Sequence, residues 1–173
     1  MKRLFSLLAA VVIMATSFTL SAQSLVGSWS SSPGSQIAIL EAAGAKLNDG
    51  RAKQTFNEDG TYENYSYIKA DVIRDDIKMS MEVEYIERGR WHYVDNILTY
   101  VCEKYDFQKL NFEFDDPMLN AFKSDVIDIV KEAYEENIGQ EMDYTVTFLS
   151  DNEATLLLNN PLIPFEFKLT RFE

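Results

Sequence analysis

The sequence has very few of the residues that form disulfide bonds and metal sites. Its 173 residues include one cysteine, Cys102, and one histidine, His92. A single cysteine cannot form a disulfide within the chain, so stability must come from packing, and Cys102 is interpreted as a small core residue. A lone histidine favours a solvated surface side chain over a zinc or iron ligand. We therefore expect no metal and no cofactor.

Basic residues are also scarce, which limits the partners that the chain can attract. Sixteen lysines and arginines stand against 28 aspartates and glutamates, a formal net charge of −12 at pH 7. So acidic a chain repels phosphate backbones and anionic membrane surfaces, and we expect no nucleic-acid partner. Beyond the first residues no apolar run approaches the roughly 18 residues of a membrane span, so we expect no stable membrane insertion.

Residues 1–22 have the pattern of a secretory signal peptide. Lys2 and Arg3 precede an apolar run from Leu4 to Met14, and small residues lie near Ala22. This pattern predicts cleavage after Ala22 and export, to the periplasm or as a secreted protein. The remaining residues, 23–173, have the length of a single domain.

The sequence has no recognisable catalytic motif. It has no Ser/His/Asp arrangement, no glycine-rich phosphate loop and no C-x-x-C. Glu82 and Glu84 have the spacing of paired carboxylates on a strand, but they are predicted to lie on a solvated face. The acidic clusters at 71–76 and 115–116 lack the spaced oxygen ligands of a calcium-binding loop. We therefore expect a protein that is not an enzyme.

The clearest secondary-structure signal is the alternation in residues 78–102. The odd positions from 79 to 93 are nearly all apolar and the even positions nearly all polar, which indicates a half-buried antiparallel strand. Asp95-Asn96 supplies a two-residue turn, since both residue types tolerate a positive φ. The predicted hairpin pairs Tyr93 with Leu98, Trp91 with Tyr100, Gly89 with Cys102 and, on the polar face, Arg88 with Glu103.

The rest of the chain has further strand patterns. Residues 25–30 indicate a first strand, 51–57 and 61–70 a hairpin with Phe56 opposite Tyr62, and 142–148, 154–158 and 163–171 three more strands. Residues 103–114 have no clear pattern and are either strand or loop. About eight antiparallel strands with short turns predict an up-and-down barrel, filled by side chains or holding one small ligand.

Two helices are predicted to interrupt the strands. The first spans 36–47, where apolar residues recur at helical spacing. The second spans 117–138: Asp116-Pro117 is a strong start signal, and Leu119, Phe122, Val126 and Ile129 form part of an apolar stripe. We expect this stripe to pack against the barrel as a lid or flank.

Three short motifs follow one another along the chain: Leu-Val-Gly-Ser-Trp at 25–29, Phe-Asn-x-Asp-Gly-Thr-Tyr at 56–62 and Lys-Leu-Thr-Arg at 168–171. Their order resembles that in the secreted lipocalin-like (calycin-type) domains of the Bacteroidetes kind. Gly27-Ser28-Trp29 matches the GxW signature of lipocalins, and Arg171 stands on the last strand where that family carries an arginine. The resemblance implies a lipocalin-like barrel in which Arg171 packs over Trp29 at the closed end. It also implies a small ligand held in or at the mouth of the barrel.

The sequence leaves two functions open. The first is a non-enzymatic extracytoplasmic binding protein for a small, largely apolar ligand. The alternative is a packed barrel that acts as a protein-interaction or inhibitor module. A binding cavity would be lined by aromatic side chains and a few polar ones. The candidate ligand-binding residues are Gln54, Phe56, Tyr62, Asn64, Ser66, Trp91, Tyr93, Tyr100 and Tyr144.

The polar members of this set depend on the register of strand 61–70. If Phe56 and Tyr62 point inward, alternation sends Gln54, Asn64 and Ser66 inward as well. Tyr65 and Tyr67 would suit the inward face equally well, so both orientations stay open.

Overall fold

Eight antiparallel strands form a closed ring in which each strand pairs with the next along the chain and the last pairs with the first. The structure is a computed structural model, and it describes residues 25–32, 45–74, 77–159 and 166–172. The strands are β1 (Gly27–Ser32), β2 (Ala45–Phe56), β3 (Thr61–Arg74), β4 (Ile77–Val94), β5 (Ile97–Phe114), β6 (Glu141–Ser150), β7 (Glu153–Leu158) and β8 (Glu166–Arg171). Two helices, α1 (Pro117–Asn120) and α2 (Lys123–Glu135), lie between β5 and β6. The predicted up-and-down barrel is confirmed.

The hairpin at Asp95-Asn96 has the predicted geometry. Both turn residues have positive φ, 51° and 65°. Such a turn matches the twist of the two strands it joins, so it fixes their register. Trp91 pairs with Tyr100 and Gly89 with Cys102, as expected. The hairpin before it also has its expected register, with Phe56 opposite Tyr62.

One predicted pair is wrong because the register of β4 and β5 shifts next to Gly89. Arg88 stands opposite Lys104 and not opposite Glu103. Glu103 forms an ion pair with Arg90, at 2.9 Å. The shift adds one residue to β5, which is what a β-bulge does.

The glycine at the bulge has a steric role. A Cβ added to Gly89 would lie 2.0 Å from the carbonyl oxygen of Val101 and 2.9 Å from the ring of Tyr62. Only a residue without a side chain lets the two strands approach this closely.

β1 and β8 close the ring and carry the predicted pair of signature side chains. Trp29 stands opposite Arg171, and the guanidinium carbon lies 4.3 Å from the centre of the indole ring. The indole N–H donates to the Leu25 carbonyl at 2.8 Å, and Arg171 donates to the Val26 carbonyl at 3.0 Å. Trp29 is fully buried, and a Cβ on Gly27 would come within 3.1 Å of Arg171. The predicted packing of Arg171 over Trp29 is confirmed.

The main core fills the end of the barrel at which Trp29 lies. Every strand except β4 contributes to its buried side chains, which are Leu25, Trp29, Phe56, Tyr62, Leu98, Tyr100, Tyr144, Val146, Ala154, Leu156 and Leu169. At the other end β2 to β5 are much longer than β6 to β8, and β5 pairs with β6 only up to Val101. Helix α2 lies against β5 there. Ala70, Val83 and Phe112 are buried in this extension.

The predicted helices differ from the observed ones. Residues 36–44 of the first lie outside the described residues, and its end, 45–47, is the beginning of β2. Residues 103–114, for which the sequence leaves strand and loop open, form a strand.

The single helix expected over 117–138 is instead two helices, with a break after Asn120. The Asn120 side chain bonds both the N–H and the C=O of Phe114, at 3.0 and 2.6 Å, which holds the chain back against the end of β5.

Because the helix breaks, the predicted apolar stripe does not pack as expected. Phe122 is 58% exposed and Ile129 64% exposed, whereas Leu119 and Val126 are partly buried. The side of α2 nearer to the barrel carries Ile127, Val130 and Tyr134. Among the described residues, no helix is long and apolar enough to cross a membrane.

Candidate functional site

A cavity of about 240 Å³ lies inside the barrel, beside the main core. All eight strands contribute to its wall. The lining residues are Ser31, Leu47, Gly50, Arg51, Ala52, Gln54, Tyr62, Asn64, Ser66, Tyr67, Ile68, Tyr85, Glu87, Tyr100, Met142, Tyr144, Leu156 and Phe167. The volume is about eight times the roughly 30 Å³ that one water molecule occupies in the liquid. It is enough for a small organic molecule.

The polar part of the wall is a row that crosses three neighbouring strands. Gln54 on β2 stands opposite Asn64 on β3, and Asn64 stands opposite Glu87 on β4. In an antiparallel sheet, residues in direct register point to the same face, so the three side chains enter the barrel side by side. The register of β3 therefore puts Tyr62, Asn64 and Ser66 inward and Tyr65 on the other face. Tyr67 also alternates outward and its hydroxyl donates to Glu82, but part of this residue borders the cavity.

Glu87 is the buried carboxylate of this row, and it is only 8% exposed. Its Oε1 accepts a hydrogen bond from the Tyr62 hydroxyl, and its Oε2 accepts one from the Asn64 amide at 3.3 Å. Burial raises the pKa of Glu87, while these two hydrogen bonds stabilise the charged form and limit the rise. Among the described residues, no lysine or arginine forms an ion pair with it.

The other two members of the row present oxygen acceptors. The Tyr100 hydroxyl donates to Oε1 of Gln54 at 3.2 Å. Asn64 Oδ1 is buried and has no hydrogen-bond partner among the residues that the structure describes. A buried acceptor without a partner is costly, so it is a place where a ligand or water could donate.

Aromatic rings form the facing wall. Tyr100 has edge contacts with Tyr62 and Tyr144, with ring centres 5.0 and 5.3 Å apart, and Tyr144 contacts Phe167 at 5.9 Å. Burial raises the pKa of Tyr62 and Tyr100 well above the usual range and that of Tyr144 to about 12. These hydroxyls therefore stay protonated at physiological pH.

Helix α2 adds one aromatic side chain beside the cavity. Tyr134 has edge contacts with Tyr85, Tyr105 and Phe107, with ring centres 5.1–5.3 Å apart. Tyr85 also lines the cavity, and burial raises its pKa. The helix thus holds in place one side of the cavity wall.

The structure brings together most of the side chains predicted to bind a ligand. Gln54, Tyr62, Asn64, Ser66, Tyr100 and Tyr144 all line the cavity. The other three do not. Phe56 is buried in the main core and packs edge-on against Trp91, whose indole N–H donates to the Asn57 carbonyl. Tyr93 contacts Phe148 and donates to Asn96.

The lining residues that the sequence did not predict include Glu87, Tyr85, Met142 and Phe167. Glu87 had a visible signal, since it is the only charged residue among the inward positions of β4 from Met79 to Tyr93. A charged residue on an otherwise apolar face is expected either to pair or to serve a site. The other three carry ordinary apolar or aromatic patterns that do not distinguish a cavity wall from a core.

The remaining acidic candidates lie on the outer face. Glu84 accepts from the Tyr65 hydroxyl, and Glu82 accepts from the Tyr67 hydroxyl and from Lys109. Asp71 accepts from Asn48 and Ser80, which lowers its pKa. In the part of the chain that the structure describes, no three His, Cys, Asp or Glu side chains are placed to hold a metal ion.

Comparisons with models of protein families and with curated proteins found no match for this chain.

Proposed function

We propose that this protein is a non-enzymatic extracytoplasmic binding protein, which holds a small, largely apolar ligand inside a lipocalin-like barrel. The observation that carries the proposal is the cavity of about 240 Å³, lined by aromatic and aliphatic side chains around one polar row. Small-molecule sites usually have this mixture, because apolar surface supplies affinity and a few polar groups fix orientation.

Three further observations support the proposal. Arg171 packs over Trp29 where β1 meets β8, in agreement with the lipocalin resemblance. The signal-peptide pattern of residues 1–22 supports export, to the periplasm or the outside of the cell. The excess of acidic residues disfavours nucleic acid as a partner.

Native mass spectrometry tests this function directly. The protein should be purified from the cells that naturally produce it, and a bound small molecule should appear as an added mass that denaturation removes. Ala52→Phe directs a ring into the cavity, so it should abolish that mass. Lys53→Phe places the same ring at the next position, which is exposed on the outer face, and should retain it. Equal retention by both variants would argue against the cavity as the site.

The second candidate function is a protein-interaction module, and one observation favours it. Met118, Phe122 and Ile129 of the helical segment are 78%, 58% and 64% exposed. Exposed large apolar side chains close to each other often mark a protein contact. If a second copy of the chain covers them, light scattering should show a dimer that Phe122→Asp converts to a monomer. If the protein is a monomer at all concentrations, a second copy of the chain does not cover these side chains.

A further inference from the structure

We propose that the ligand carries a protonated amine, which donates hydrogen bonds to Glu87, while its apolar part lies against the tyrosine rings. This inference rests on the proposed function and adds the chemical class of the ligand. It comes from the charge and hydrogen-bonding character of the cavity wall.

The negative charge of Glu87 has no cationic partner among the described residues. The titratable groups that interact with it belong to every element around it: Tyr62 on β3, Tyr85 on β4, Tyr100, Cys102 and Tyr105 on β5, Tyr144 on β6 and Tyr134 on α2. Each of these is neutral at physiological pH, and the negative charge of Glu87 helps to raise its pKa. A cation delivered by the ligand would complete a pair that the described residues do not form.

The polar row offers the cavity three oxygen acceptors, and the one cationic side chain in the described lining, Arg51, is largely exposed and paired with Asp49. The Glu87 carboxylate, the buried Oδ1 of Asn64 and the Oε1 of Gln54 lie in one row across three strands. The hydroxyls of Tyr62 and Tyr100 are already committed as donors to Glu87 and Gln54. An ammonium group has three donors and no acceptor, so it fits this row. A carboxylate or phosphate would meet unfavourable charge and unpaired acceptors.

The aromatic wall suits the same ligand. The rings of Tyr62, Tyr100 and Tyr144 pack edge to face around the polar row. The faces of aromatic rings carry negative potential and attract a cation, particularly one that has lost its water. The rings also offer apolar contact for the ligand's carbon skeleton. The cavity therefore places the buried Glu87 carboxylate next to aromatic rings that can contact a cation.

Three probes with one apolar body and different head groups test the inference. They are 2-phenylethylamine, 2-phenylethanol and 3-phenylpropanoate, and calorimetry on the wild-type protein measures their affinities. We expect the amine to bind at least about 30-fold more tightly than the alcohol, a ratio typical of a buried charge pair. The carboxylate should not bind measurably. Amine binding should weaken as the pH falls through the pKa of Glu87, whereas alcohol binding should not change.

A matched pair of variants locates the effect. Glu87→Gln keeps the shape of the side chain and removes its charge, so the affinity for the amine should fall to that for the alcohol. Glu84→Gln makes the same change on the outer face of β4 and should leave the preference for the amine intact. A thermal melt of each variant confirms that it is folded.

The outcomes separate this inference from the proposed function. If the alcohol or the carboxylate binds as tightly as the amine, the amine inference is overturned and a binding cavity remains. If none of the three binds, the amine inference also fails, and the co-purified mass still tests the binding function independently. An amine preference that survives Glu87→Gln would overturn the assignment to Glu87.

Discussion

In its charged form Glu87 lowers the stability of the barrel, because burial takes the carboxylate out of water and none of the described lysines or arginines pairs with it. Its two hydrogen bonds, from Tyr62 and Asn64, offset only part of that cost. A charged group that disfavours folding and also faces a cavity is typical of a functional position, since packing alone would be better served by an apolar or amide side chain.

The pH dependence of stability should show this cost. Burial raises the pKa of Glu87 above its ordinary value of 4.5. Between that value and the raised one, the folded state binds more protons than the unfolded state, so the contribution of Glu87 to stability falls as the pH rises. Glu87→Gln should therefore have a free energy of unfolding about 1 kcal/mol above wild type at neutral pH. The difference should shrink as the pH falls towards 4.5.

Urea unfolding at a series of pH values measures this difference. Glu84→Gln, on the outer face of the same strand, controls for the loss of one charge from an already acidic protein. If Glu87→Gln is less stable than wild type at neutral pH, or the difference does not depend on pH, the carboxylate is not the destabilising group described here.

At the scale of single elements, the close approach of β4 and β5 at Gly89 determines the local register. Gly89→Ala should lower the free energy of unfolding by at least about 2 kcal/mol, since the new Cβ would overlap the Val101 carbonyl. Gly50→Ala is the control, because its Cβ would meet only the flexible Leu47 side chain, at 3.3 Å. Chemical denaturation of both variants checks the prediction, and equal stabilities would contradict it.

Tyr134 is the aromatic side chain through which helix α2 contacts the barrel. Tyr134→Ala removes contacts with Tyr85, Tyr105 and Phe107 and should cost about 2–3 kcal/mol. Ile129→Ala on the exposed side of the same helix should change stability by less than about 0.5 kcal/mol. Thermal melts distinguish the two. A larger effect at Ile129 would restore the packing stripe that the sequence predicted.

The elements that the sequence predicted well are those where two local signals agree. Alternation and the Asp95-Asn96 turn each predict the same hairpin, and both depend only on neighbouring residues. The break after Asn120 depends on a side chain that bonds the backbone of Phe114, a contact that helical periodicity cannot show. The sequence therefore predicts the right start of the helix but only part of its packed face, since Phe122 and Ile129 are exposed whereas Leu119 and Val126 are partly buried.

The cavity was only partly predictable for a related reason. Alternation sends Gln54, Tyr62, Asn64 and Ser66 to one face, but it does not say how far along the barrel each residue lies. Phe56 and Trp91 share that face and lie at the packed end, where side chains fill the interior. The boundary between core and cavity depends on the stagger between the longer strands, β2 to β5, and the shorter ones, β6 to β8.

For the whole molecule, closure of the ring by β1 and β8 is the decisive feature. These two short strands come from opposite ends of the described chain, and their pairing leaves neither as an exposed edge. Trp29 and Arg171 face each other across this β1–β8 pairing, which we call the seam, on the inner side of the barrel. Because the cavity wall includes residues of both strands, Ser31 and Phe167, the site exists only while the ring is closed.

An engineered disulfide across this seam should form and stabilise the protein. Ser30 stands opposite Thr170, and directly paired strand residues have the Cα separation that a disulfide needs. In a Cys102→Ala background, oxidation of Ser30→Cys/Thr170→Cys should close a loop of about 140 residues and raise the free energy of unfolding by up to about 5 kcal/mol. Ser30→Cys/Lys168→Cys moves one partner along β8 by two residues and should not oxidise to a disulfide readily. Thiol titration and melting temperature with and without reductant measure both effects, and equal bond formation in the two variants would mean that β1 and β8 do not have this register.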